Sequence, residues 1–276
     1  MFKLLKYEFR KAMVSILVML GVTAALEGYF LYGLYSEAND GVHAVIGALL
    51  LILFTLAIEI FVMVRGVTSF SGELKGRNAY LIFMTPNSAL KIMASKYLFT
   101  LILGTSFTLM YVLLGYLDIR LTLEKYGEYQ EFVEMWAELF KEAGIRVDQI
   151  IFAGVFAVIY FLLDFLVFYA VAYLAVTISH TLFRDKKWRW VMAILFYFAI
   201  TSIVSFLNSL FPMVYTVLQF TEAPGVGKIA EAYGLNTAPT FLGLLVYLVP
   251  QMLISAGVIL LSFFGCAWML EKKVSL

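Results

Sequence analysis

The chain has 276 residues, of which 63% are hydrophobic and 14% charged, with a formal net charge of +1 and a mean hydropathy of +0.92. The apolar residues gather in six long stretches, which excludes a soluble globular domain and makes this an integral membrane protein. No nucleic-acid partner is expected.

Crossing the hydrocarbon core takes a helix of roughly 20 apolar residues. In chain order the predicted spans are Met13 to Tyr35, His43 to Val64, Tyr97 to Leu117, Ile150 to His180, Trp190 to Phe220 and Phe241 to Leu270. Backbone groups in lipid must be satisfied within the segment, and continuous apolar runs without period-2 alternation choose helices over barrel strands. The expected fold is all-α, a single polytopic transmembrane domain over 1–276.

Ahead of the first span, Phe2, Leu5 and Phe9 recur at helical spacing while Lys3, Lys6 and Arg10 fall on another side. This suits an amphipathic interfacial helix on an anionic leaflet; an ordinary charged flank is the alternative. These bases followed by an apolar run also imitate a signal peptide. The run continues past Thr23, Ala24 and Ala25, and cleavage there would leave five spans, so the first span is read as retained.

The connection from Arg65 to Lys96 is too long and too apolar for a simple turn. Thr85 can cap a helix whose first position is Pro86, which has no amide hydrogen to leave unpaired there. The stretch before that break, about Ser69 to Phe83, mixes charge with Tyr80, Leu81 and Phe83 and is expected to form a short helix across the membrane face, a handle for a partner protein. The next connection, Asp118 to Gln149, carries eight acids against four bases. Within it Tyr129, Phe132, Val133, Trp136 and Phe140 share one helical face, and Gly144 is placed to end that helix. That face could rest on a leaflet or cover the bundle. Its acids are either a solvated surface or a collector of cationic substrates. Farther on, Trp188 and Trp190 beside Arg184, Lys186, Lys187 and Arg189 fit an interfacial anchor. The connection Thr221 to Thr240 is rich in Gly and Pro, and Pro212 and Pro250 sit inside the flanking spans, where each removes a hydrogen-bond donor.

Four segments, the N-terminal tail, 65–96, 184–189 and the C-terminal tail, hold 15 of the 20 Lys and Arg. They are alternate connections on one face of the membrane. The positive-inside rule makes that face cytoplasmic, with both termini inside.

Three acids lie within the spans: Glu27, Glu59 and Asp164. A charge near the bilayer centre costs at least about 2.5–3.5 kcal/mol, so such groups are paired, protonated or wetted by a cavity. No Lys or Arg falls inside a span. Asp164 is the deepest along its span, and Tyr160 precedes it by one turn, within reach of a hydrogen bond. The acids are expected either to face a polar interior or subunit interface, or to be protonated and satisfied by neighbouring hydroxyls. Catalytic groups are wanting: there is no Gly-x-Ser-x-Gly elbow and no His-Glu-x-x-His pair, and His43 and His180 fall on opposite sides of the membrane. Gly225 to Ile229 lacks the first glycine and the Ser or Thr of a phosphate loop. Neither an enzyme nor a metal site is expected. Cys266, the only cysteine, reads as a small buried apolar residue.

The basic amphipathic start from Met1 to Arg10, six spans, and a first connection with Glu73, then Leu81 to Phe83, Pro86 and Lys96, together resemble the membrane subunit of type-2 ATP-binding-cassette transporters, the ABC-2 permease family common in bacteria. The resemblance covers almost the whole chain. It implies a coupling helix at about Ser69 to Met84 that docks on a separate ATPase subunit, with Glu73, Lys75, Arg77, Asn78 and Pro86 as candidate coupling residues. It also implies pairing with a second copy or a homologous permease, export across the cell membrane, and ATP and Mg held by the ATPase, with no cofactor on this chain. The long acidic loop between the third and fourth spans departs from the family, whose outer elaboration more often lies between the fifth and sixth. A membrane interaction protein that senses or confers immunity to a peptide antibiotic is the other reading.

Overall fold

The computed structural model describes residues 2–36, 41–74, 88–142, 147–183, 188–220 and 241–272. Seven helices form this part of the chain: α1 (Phe2–Tyr35), α2 (Val42–Glu73), α3 (Ala89–Tyr126), α4 (Tyr129–Glu142), α5 (Val147–Leu182), α6 (Arg189–Phe220) and α7 (Phe241–Lys272). All but α4 are long and apolar enough to cross a membrane. No strand occurs among the described residues. This is a multi-pass helical membrane protein.

Several helices overrun the apolar stretches that mark them in the sequence. Hydropathy reports the part that prefers lipid, whereas the hydrogen-bonded ladder continues through charged residues wherever nothing breaks it. The basic lead-in is therefore the first turns of α1, continuous with the span. Beyond the predicted span, which ends at Leu117, α3 continues to Tyr126, so Asp118 belongs to a helix rather than to a loop. Gly127 stops it. Its φ of 75° is a left-handed conformation suited to glycine, and the Glu128 amide bonds to the Leu123 carbonyl while the Gly127 amide bonds to that of Glu124.

The helices pack as two compact units, residues 1–69 with 94–144, and residues 70–93 with 145–276. In the first, α1 and α2 approach closely because two positions lack side chains. A Cβ on Gly33 would lie 2.5 Å from the Ala44 amide nitrogen, and one on Gly47 would lie 2.8 Å from the Phe30 Cα. Small residues let backbones approach in this way in lipid, where packing replaces hydrophobic drive. Phe30, Leu34, Ala44 and Leu51 fill the core there. The aromatic rings of α4 stack along the helix, Phe132 on Trp136 and Trp136 on Phe140, and Trp136 stays exposed. Most of α4 is exposed.

In the second unit α5 packs on both α6 and α7. Tyr169 and Tyr173 are fully buried, and Phe70 lies against Tyr173 at 4.6 Å between centroids. Cys266 is a buried free thiol in contact with the Thr177 hydroxyl. Pro250 sits inside α7. Trp188 and Trp190 are exposed at the start of α6. The expected cap at Gly144, the candidate coupling residues Lys75, Arg77, Asn78 and Pro86, and the loop 221–240 lie outside the described residues.

Candidate functional site

A polar seam runs through the interior of the first unit. On α3, Lys96, Thr100, Thr108, Tyr111, Asp118 and Thr122 recur at spacings that place them within about a third of the helix circumference. On α1, Glu8, Thr23 and Glu27 share a face in the same way.

At one end of the seam the Lys96 Nζ lies 2.8 Å from the Glu8 Oε1, and both residues are buried. The Ser69 hydroxyl donates to Glu8 Oε2 and accepts from Lys11 Nζ, each at 3.3 Å, and the Arg65 guanidinium bonds to the Lys11 carbonyl. Two ends of one connection, Arg65 with Ser69 on α2 and Lys96 on α3, thus meet on the N-terminal helix. Sequence reading placed Lys96 outside the spans and left an ion pair open only near their edges. The structure supplies one, because α3 begins two turns before the apolar run and carries Lys96 inward.

Farther along, the Thr108 hydroxyl donates to the Glu59 Oε1 at 2.9 Å. The Thr23 hydroxyl donates to the Met19 carbonyl, so in its 2.7 Å contact with Tyr111 the tyrosine is the donor. Next come the Glu27 and Asp118 carboxyl groups, hydrogen-bonded to each other. The pair borders a cleft of about 520 Å³ between α2 and α3, otherwise walled by apolar side chains and the hydroxyls of Thr55, Tyr111 and Thr122. Beyond it, Tyr29 bonds to the His43 Nδ1 at 2.9 Å and Lys125 bonds to the Leu34 carbonyl.

Of the sequence-predicted acids, Glu27 and Glu59 therefore lie on the seam. Asp164 does not: it is in the second unit, on an exposed flank of α5, and the Tyr160 hydroxyl donates instead to Gln251 at 3.4 Å. Glu73, the one candidate coupling residue that is described, is the last residue of α2 and half-buried. Glu8 and Asp118 were not anticipated. The signal for both was helical phase, since each falls in register with polar residues already visible on its own helix. No group of three or more His, Cys, Asp or Glu side chains that could hold a metal ion occurs among the described residues.

Comparison with known protein families, with curated proteins and with solved structures finds no match to this chain.

Proposed function

We propose that the chain is the permease subunit of an ATP-driven exporter, seated in a cell membrane with both termini cytoplasmic and coupled to a separate ATPase that binds ATP and Mg. The reading rests on the sequence resemblance to ABC-2 permeases. The observation that best supports it is the Glu8, Lys96 and Ser69 cluster. Glu8 lies in the basic start that carries part of the resemblance, and Lys96 closes the connection that carries the rest. A push delivered to 70–88 by a docked ATPase would reach α2 and α3 where both are clamped to α1 by a buried ion pair, and would move the seam rather than fray the helix ends. Two such subunits would enclose the substrate path, with Glu73, Lys75 and Arg77 presented to the ATPase.

The test uses the single cysteine. In a Cys266→Ser background, Asn78→Cys should react with a membrane-impermeant maleimide in inverted vesicles and not in intact cells, and the tagged chain should co-purify with an ATPase that is lost on Lys75→Ala with Arg77→Ala. Labelling from the outside, or a chain purified from its own membrane without any ATPase, overturns the proposal.

A further inference from the structure

We propose that the cleft between α2 and α3 is a binding site for a lipophilic ammonium ion, a protonated amine on an apolar body of drug-like size. The proposal stands whether or not the chain works with an ATPase.

Hydrogen-bond polarity makes the case. Thr55 donates its hydroxyl hydrogen to the Leu51 carbonyl and Thr122 donates to the Asp118 carbonyl, each within its own helix. Tyr111 spends its hydrogen on Thr23. Each hydroxyl at the wall therefore has only lone pairs left to offer. The two carboxyl groups adjoin one another, and Glu27 Oε2 and Asp118 Oδ1 are buried with no hydrogen-bond partner among the described residues. Among the described residues, no Lys, Arg, His, Asn, Gln or Trp lines the cleft. A wall of hydroxyl acceptors with two acidic groups at its polar end disfavours anions and gives little to a neutral acceptor. What complements it is a group that brings donors and one positive charge.

The size and shape of the cleft fit the rest of the ligand. Its volume lies in the range of small-molecule pockets, and Leu51, Leu56, Leu114 and Ile119 surround the polar end with aliphatic wall. Ile52, Leu56 and Ile119 are exposed at its rim, so an amphipathic amine can enter apolar end and all. Gly115 is the opening in the wall: a Cβ built there meets no atom within 4 Å. An α-helical glycine gives up helix stability relative to alanine, and here the missing side chain leaves room in the cleft.

The experiment measures binding of monodansylcadaverine, a fluorescent primary amine, to the purified full chain in phosphatidylcholine nanodiscs. Saturable binding is expected, weakened about tenfold to a hundredfold by Glu27→Gln with Asp118→Asn, as befits loss of a charge-assisted contact. Gly115→Leu should abolish it while leaving thermal stability unchanged or raised, which separates a filled cleft from a damaged fold. The N-acetylated probe, with no charge, should not compete. Equal binding by the acetylated probe, undiminished binding to both variants, or displacement by phosphatidylethanolamine in the disc, which would assign the cleft to a lipid headgroup, each overturns the proposal.

Discussion

Removing the ammonium of Lys96 is the sharpest test of how the first unit is held together. Lys96 is 3% exposed and Glu8 5%, so neither charge is solvated by bulk water, and the 2.8 Å contact is a buried ion pair rather than a surface one. Breaking such a pair by deleting one partner costs about 3–5 kcal/mol, because the desolvation of the remaining buried charge is no longer offset by that partner. Lys96→Met keeps the length and apolar stem of the side chain and removes only the charge. Among the contacts of Glu8 that remain is the Ser69 hydroxyl at 3.3 Å, and a neutral hydrogen bond is worth only about 0.5–1.5 kcal/mol. The expected loss is therefore about 3 kcal/mol or more, a fall of over roughly a hundredfold in the unfolding equilibrium. Neutralising both partners, Glu8→Gln with Lys96→Met, should restore most of that loss, since a neutral pair has no stranded charge. The assay is unfolding of the purified chain by dodecyl sulfate titration in mixed micelles. A single variant within about 1 kcal/mol of the parent, or a double variant as unstable as the single, would refute the reasoning.

Three further outcomes are expected. Gly47→Val should separate α1 from α2, because the first added carbon already lies 2.8 Å from the Phe30 Cα, and should cost about 1–3 kcal/mol in the same titration. Thr108→Val removes the 2.9 Å donor to Glu59 within the membrane and should lower stability by about 1–3 kcal/mol, with Glu59→Gln in the same chain recovering part of it. Asp164→Asn, on an exposed flank of α5, should leave membrane insertion and stability of the isolated chain within about 0.5 kcal/mol of the parent, as measured by protease protection and unfolding.

All six membrane helices were legible from the sequence because lipid imposes one requirement that composition alone can reveal. The aromatic helix α4 was legible from its 3.6-residue period. The helix ends were harder to read. Asp118 follows directly on an apolar run, and by hydropathy alone it belongs to the solvent. Its phase with Tyr111 and Thr122 was the only sign that it turns inward toward Glu27. Glu8 was hidden for a related reason, since among Lys3, Lys6, Arg10 and Lys11 it looks like part of a charged flank. Asp164 shows a different limit of the sequence. Its position along α5 gave its depth but not its direction, and a helix apolar on all sides offers no pattern from which direction can be read.

Nineteen residues separate Glu8 from Glu27 on one unbroken helix, a rise of about 29 Å at 1.5 Å per residue. That is close to the thickness of an average hydrocarbon core, about 30 Å. The two pairs, Glu8 with Lys96 and Glu27 with Asp118, thus form a molecular ruler whose marks lie about one hydrocarbon thickness apart. Lipids with longer tails would submerge one mark or tilt the rod, so reconstitution into a thickness series should show an optimum near tails of ordinary length and a decline on either side.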